Sequence, residues 1–136
     1  MSVSADVAAI KDVLEDYAVY CRNNDFESWL SLWVDDGIQM PPNAPARVGK
    51  EAIRTGMQPA FGGMVLDLRI VDVGNAEVHE DLGLTRCVFK LTLVPKDEGE
   101  TIEAIPQGKA LTLYARQGDG TWKICYDCYN LDVLPE

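Results

Sequence analysis

Met64-Val65-Leu66-Asp67-Leu68-Arg69-Ile70-Val71-Asp72-Val73 is the stretch on which the fold turns. Val65, Leu66, Leu68, Ile70, Val71 and Val73 begin a β segment, and the apolar period from Met64 onward becomes two residues. Gly74-Asn75 marks a bulge or bend, after which Ala76 to His79 resumes the strand. The same period continues downstream. Glu80-Asp81-Leu82-Gly83 reads as a turn, Leu84 to Val94 as a long strand, and Pro95 to Glu100 as a charged hairpin loop. Thr101 to Arg116 is the next strand, with a bulge at Pro106-Gly108, and Gly118-Asp119-Gly120 turns the chain into a last strand, Thr121 to Leu131.

Upstream the period is that of a helix. From Ser4, Val7, Ile10, Leu14, Tyr17, Ala18 and Cys21 recur three or four residues apart, with Lys11, Asp12, Glu15, Asp16 and Arg22 on the other side. Asn24 or Asp25 then caps a second helix, with Glu27 as the capping-box partner of Asn24 and Phe26, Trp29, Leu30 and Trp33 as its apolar stripe. Asp35-Asp36-Gly37 is expected to stop that helix, and Ile38-Gln39-Met40 to form a brief strand ended by Pro41-Pro42. Pro41 to Val48 reads as a loop, and Lys50 to Met57 as a third short helix that ends or kinks at Pro59. Helices first and a long meander afterwards predict an α+β architecture, three helices packed on one curved antiparallel sheet.

The size, 136 residues and 15.0 kDa, predicts one compact domain spanning 1–136. Hydrophobic residues at 47% exclude intrinsic disorder. Twelve Lys and Arg against 22 Asp and Glu give a formal net charge of −10, so nucleic acids and anionic membranes meet net repulsion. A neutral or cationic small ligand, or another protein, is the expected partner. No apolar run reaches the length of a membrane span, and Met-Ser-Val-Ser-Ala-Asp has neither the basic flank nor the apolar run of a secretory signal. A cytoplasmic protein with four reduced cysteines, at 21, 87, 125 and 128, is the expectation.

Three stretches carry a family resemblance. They are Leu14-Glu15-Asp16-Tyr17 through Asn24-Asp25-Phe26 to Leu32-Trp33-Val34-Asp35-Asp36, then Met40-Pro41-Pro42 with Val48-Gly49-Lys50-Glu51-Ala52-Ile53, then Gly118-Asp119-Gly120-Thr121-Trp122-Lys123-Ile124 with Asp127 and Asn130. In this order the chain resembles the nuclear transport factor 2-like superfamily, in its SnoaL-like and ketosteroid-isomerase-like branch. The resemblance implies a cone-shaped, cystatin-like fold and a homodimer formed through the outer sheet face. It leaves the chemistry open, since isomerases, cyclases, dehydratases and assembly domains share this scaffold.

By the same resemblance, Tyr17 matches the helix-one tyrosine that in ketosteroid isomerases donates a hydrogen bond to an enolate oxygen. Its plainer alternative is a stripe residue bonded to a backbone carbonyl. The general-base position of those enzymes falls at Met40 or Pro41, neither of which can take a proton, and their second oxyanion acid falls among Ala110, Leu111, Thr112 and Leu113. The acid/base position of SnoaL-type cyclases falls at Asn130, which cannot shuttle a proton near neutrality; Asp127 lies three residues earlier. Strand alternation puts Lys123, Cys125, Asp127 and Tyr129 on one face and Trp122, Ile124, Tyr126, Cys128 and Asn130 on the other, with the Asp127 face expected to be concave.

Arg86 reads either as a clamp for a carboxylate or enolate oxygen or as an outward surface charge. Trp29, Trp33, Met40, Phe61, Tyr114 and Tyr129 either line a pocket of about 300–1,000 Å³ or fill it. His79 reads as a solvated turn residue, and Cys125-Tyr126-Asp127-Cys128 matches a C-x-x-C motif in letters only, because it lies in a strand. No metal or cofactor is called for. The expectation is an apolar small-molecule site with Tyr17 as oxyanion donor, Asp127 as acid/base, Arg86 as anion clamp and Asn130 near the ligand; its rival is a non-catalytic binding or assembly module.

Overall fold

The computed structural model describes residues 2–132. Helix α1 (Val3–Arg22) starts where the Ser2 hydroxyl accepts the Ala5 N–H at 3.1 Å, and it buries Ile10, Leu14, Ala18 and Cys21 along one stripe. Asn24 then takes a positive φ of 56°, and Asp25, accepting the Ser28 N–H at 3.3 Å, caps α2 (Phe26–Ser31). The capping role thus falls to Asp25 rather than Asn24.

Strand β1 (Trp33–Met40) begins directly after α2, so Trp33 is a strand residue. Asp35-Asp36-Gly37 lies within this strand instead of ending a helix. Between the pairs Trp33↔Ile124 and Ile38↔Tyr126 the strand takes extra residues, and the two aspartates of that excursion face solvent. Gly37 is required there, because a Cβ would come within 2.9 Å of the Trp33 ring. The Pro-rich segment contains a two-residue strand, β2 (Arg47–Val48), paired antiparallel with β1. Helix α3 (Lys50–Gly63) runs through Pro59 to bury Phe61, which stacks on Phe26 with ring centroids 4.7 Å apart. Proline removes one helix hydrogen bond, and here the helix continues past it because the following turn packs on the core.

The meander follows as β3 (Met64–His79), β4 (Leu82–Pro95), β5 (Ile102–Arg116) and β6 (Trp122–Leu131), in a six-stranded sheet of order β2-β1-β6-β5-β4-β3. One pair departs from the expected antiparallel sheet: β1 lies parallel to β6, since the last reversal of the meander brings β6 back in the direction of β1. Register shifts near Gly74-Asn75 in β3 and between Ile105 and Gly108 in β5 occur where Gly and Pro announced them. Such bulges bend strands, and the sheet curves around α1. The core is rich in aromatic rings. Trp29 meets Tyr17 edge-on at 5.4 Å, Trp33 at 5.6 Å and Phe61 at 5.5 Å, joining α1, α2, β1 and α3.

Arg116 closes the other end of the helix layer. Its guanidinium donates twice to the buried Asp6 carboxylate, at 3.0 and 2.8 Å, once to Asp81 at 3.0 Å, and covers the Trp122 ring at 4.5 Å. The same guanidinium holds the Asp6 carboxyl below its usual range. Arg116→Gln is therefore expected to lower the melting temperature followed by circular dichroism, and by more than Arg54→Gln, whose partners Glu27 and Glu51 are exposed.

Candidate active site

A polar row crosses the helix-facing side of the sheet. Arg47 pairs with Gln39, Gln39 with Asp127, Asp127 with Thr112, and Thr112 with Thr85, so five adjacent strands contribute one residue each. Directly opposed residues share a face, which aligns the five side chains. Gln39, Asp127, Thr112 and Thr85 are buried, and Asp6 is the one other buried polar or charged residue among those described.

Asp127 reaches this face because β6 is bulged. Leu113 pairs with Tyr126 and Tyr114 with Ile124, so β6 uses an extra residue at Cys125. Strict alternation fails at that point, and Trp122 and Ile124 turn inward on the same side as Asp127. Asn130 stays exposed on the outer side, away from the row.

The Asp127 carboxylate accepts two hydrogen bonds, from the Tyr17 hydroxyl to Oδ2 at 3.1 Å and from the Thr112 hydroxyl to Oδ1 at 3.0 Å. Burial pushes its pKa up to about 6, against the pull of those two donors. It is thus mostly ionised at neutral pH yet within reach of protonation. Burial, and next the Asp127 charge, drive the Tyr17 phenol well above its ordinary value, so it remains a neutral donor. At the end of the row, the Thr85 and Tyr114 hydroxyls satisfy each other at 2.8 Å. At the other end, Arg47 Nη1 donates to Gln39 Oε1 at 2.7 Å and touches Met57 Sδ at 3.1 Å.

Tyr17, Thr112 and Asp127 open onto a half-enclosed cavity of ≈ 80 Å³ between α1, α3 and the sheet, whose other walls are apolar, among them Leu14, Leu68, Phe89, Ile105 and Tyr129. That is smaller than the expected pocket, and about half the ~150 Å³ of an engineered apolar cavity that takes up benzene. In this form it leaves room for a single-ring molecule at most.

Of the residues singled out from sequence, Tyr17, Asp127 and Tyr129 line this cavity. Trp29, Trp33 and Phe61 do not; they are consumed in the aromatic core, where ring-to-ring packing leaves them 0%, 0% and 3% exposed. Tyr114 is fully buried behind the site with its hydroxyl on Thr85. Met40, in register with Cys128, belongs to the outer face, and Met57 of α3 supplies the methionine wall instead. Arg86 lies exposed on the outer face with its Nε on Asn75 Oδ1 at 2.8 Å, so it cannot clamp a ligand here. Thr112, Gln39 and Arg47 were not singled out. The one available signal was Gln39, a polar residue between Ile38 and Met40. His79 is exposed beside Glu77, the four cysteines are free, and among the described residues no group of three or more His, Cys, Asp or Glu is placed to hold a metal.

Residues 2–126 match the SnoaL-like domain. The chain belongs to the SnoaL-like family. Solved structures of nuclear transport factor 2-like proteins share the fold of this SnoaL-like chain. A superfamily protein from Salmonella enterica serovar Typhimurium superimposes with a TM-score of 0.82 at 14% identity, covering 98% of this chain and 95% of that one. A candidate aromatic ring hydroxylase from Novosphingobium aromaticivorans gives 0.85 at 19% identity, covering 98% and 94%. A candidate dehydratase of the same superfamily from Streptomyces avermitilis gives 0.83 at 17% identity, covering 96% and 99%. At these identities the likeness is one of fold. No curated protein matches the chain in sequence. No helix among the described residues is long and apolar enough to cross a membrane.

Proposed function

We propose that this SnoaL-like protein binds a small apolar ligand in its cavity and moves a proton on it, as an isomerase or cyclase working through an enolate-type intermediate. The observation that carries the reading is one buried carboxylate, with a pKa near 6, between two hydroxyl donors in an otherwise apolar cavity. The Asp127 carboxylate takes a proton from the carbon next to a carbonyl, and the C–H electron pair becomes the enolate. Once protonated, Asp127 no longer needs the Tyr17 donor, which turns to the enolate oxygen; the proton then returns to a different carbon, or the enolate carbon attacks a second carbonyl carbon of the ligand, whose C=O π bond breaks to an alkoxide that takes the proton back from Asp127. Base and oxyanion donor are thereby coupled through one hydrogen bond.

The reaction can be tested without knowing the natural substrate, by following deuterium exchange at the α-carbons of small aryl ketones in D₂O by NMR. Exchange should saturate with ketone, rise with pH through about 6 as Asp127 ionises and then level off, and disappear in Asp127→Asn. Tyr17→Phe should lower the rate by about one to three orders of magnitude, the range for a single oxyanion donor. Ketones that bind but exchange no faster than in buffer would leave the rival reading, a non-catalytic binding module. That rival draws support from the small cavity and from the engagement of Tyr17 with Asp127. We further propose a homodimer through the outer sheet face, where Leu111 and Tyr126 are 47% and 42% exposed, and a reducing, cytoplasmic setting in keeping with four free thiols.

A further inference from the structure

Among the described residues two arginines have no ion pair, and of these Arg86 is exposed on the outer face beside Asn75 while Arg47 is half-buried on the Asp127 side of the sheet. The arginines at 22, 54, 69 and 116 each form an ion pair with Asp or Glu, whereas among the described residues Arg47 has no acidic partner. Its hydrogen bonds run from Nη1 alone, to the neutral Gln39 Oε1 and to the Met57 sulfur, which leaves the Nη2 and Nε donors unengaged by the described residues. The side chain is nevertheless held in place. It lies against α3 at Gly56, where a Cβ would overlap the guanidinium, so the helix presents a groove for it. Beside it, Gln39 is fully buried with its Nε2 donor unpartnered, a group whose desolvation is costly unless an acceptor meets it. Two sets of unused donors thus converge at one end of the polar row.

That end borders the cavity. Met57, touched by Arg47, forms part of the cavity wall, and Tyr129, another wall residue, feels the Arg47 charge. Arg47 and Gln39 are not themselves wall residues; Met57, an easily rotated thioether, stands between Arg47 and the cavity. Along the row, Arg47 and Asp127 are separated by β1, that is by two strand spacings of roughly 4.8 Å each. A ligand of single-ring size can span that gap, with one end at each charge.

We infer that the ligand of this cavity is a small, otherwise apolar keto acid with one carboxylate, the carboxylate held by Arg47 with Gln39 as second donor and the carbon next to its ketone at Asp127. The inference rests on the cavity reading proposed above and names the ligand class. It also revises what the net charge of −10 suggests. Exposed charges more than a Debye length away, about 10 Å at 0.1 M salt, are largely screened. A fork of guanidinium donors in a partly buried site is not, and planar carboxylates suit its geometry.

The test compares phenylacetate with its neutral isostere phenylacetamide by titration calorimetry at pH 7.5. The expected result is that phenylacetate binds at least about tenfold more tightly, the scale of a charge-assisted hydrogen bond. Arg47→Gln should abolish that preference while leaving phenylacetamide binding in place, and Arg47→Lys should retain part of it. Gly56→Ala provides a second variant that favours the helix and keeps the charge; by displacing the guanidinium it should also reduce the preference. Equal binding of both probes, or a preference that survives Arg47→Gln, overturns the anion site while leaving the cavity reading standing. Failure of both probes to bind overturns the two together.

Discussion

Asp127→Asn should make the protein more stable at pH 8 relative to wild type than it does at pH 4, while removing any α-proton exchange. A carboxyl whose pKa is raised by burial binds its proton more tightly in the folded chain than in the unfolded one, where it titrates near 3.9. Between the two values the folded state holds more protons, so wild-type stability falls as pH rises from about 4 to about 6, and it stays reduced above that window. A rise to about 6 corresponds to roughly 3 kcal/mol. Asparagine does not titrate and loses none of this. Its amide must still match two hydroxyl donors, a cost of about 1–3 kcal/mol that is the same at every pH and cancels when the two pH values are compared. The measurement is the difference in denaturation free energy between variant and wild type at pH 4, 6 and 8. A flat difference would mean that Asp127 is not the buried, reluctant carboxylate on which the proposed chemistry depends.

Trp29→Ala should be the most damaging single truncation in the helix layer. The ring is fully buried and touches Tyr17, Phe26, Trp33 and Phe61, which come from four different elements. Removing a buried aromatic of this size costs about 3–5 kcal/mol, and domains of this kind have about 5–15 kcal/mol in total. Trp29→Phe keeps much of the packing and removes an indole N–H that has no partner, so it should be far milder. Urea midpoints for the two variants separate the alternatives. If both lose similar stability, the indole nitrogen matters and ring packing is not the explanation; if neither does, the aromatic cluster does not hold the helices. Because Trp29 supports the Tyr17 ring edge-on, Trp29→Ala should also loosen the Tyr17 contact with Asp127, visible as a changed pH profile of whatever activity remains.

Much of the fold was legible in the chain because its signals are local. The period of α1 follows from side chains that meet every three or four residues, and the bulges near Gly74-Asn75 and Pro106-Gly108 carry Gly and Pro as markers. Where those markers are missing, local reading failed. Nothing in Ile124-Cys125-Tyr126 announces a bulge, yet it turns Trp122 and Ile124 to the Asp127 side. Asp35-Asp36-Gly37 looks like a helix stop but sits inside a strand, because Trp33 and Gln39 on either side of it are both drawn into the core. The aromatic residues posed the converse difficulty. A Trp in the core and a Trp lining a pocket have the same spacing, and only packing distinguishes them.

The site divides along the same line. Sequence by itself determined the α+β architecture, the order of helices and strands, and the presence of Tyr17 and Asp127 as the chain's candidate proton-handling pair. That Tyr17 and Asp127, 110 positions apart, share a hydrogen bond was decided by tertiary structure, through the packing of α1 on the curved sheet. So was the placement of Arg47 rather than Arg86 near the cavity, because Arg47 on β2 lies in the row on the helix-facing side and touches Met57 of the cavity wall, while Arg86 on β4 faces outward to Asn75. A strand's period tells which of its residues lie together, but not what lies beside them. The row from Arg47 to Thr85 exists only once five strands have settled into register.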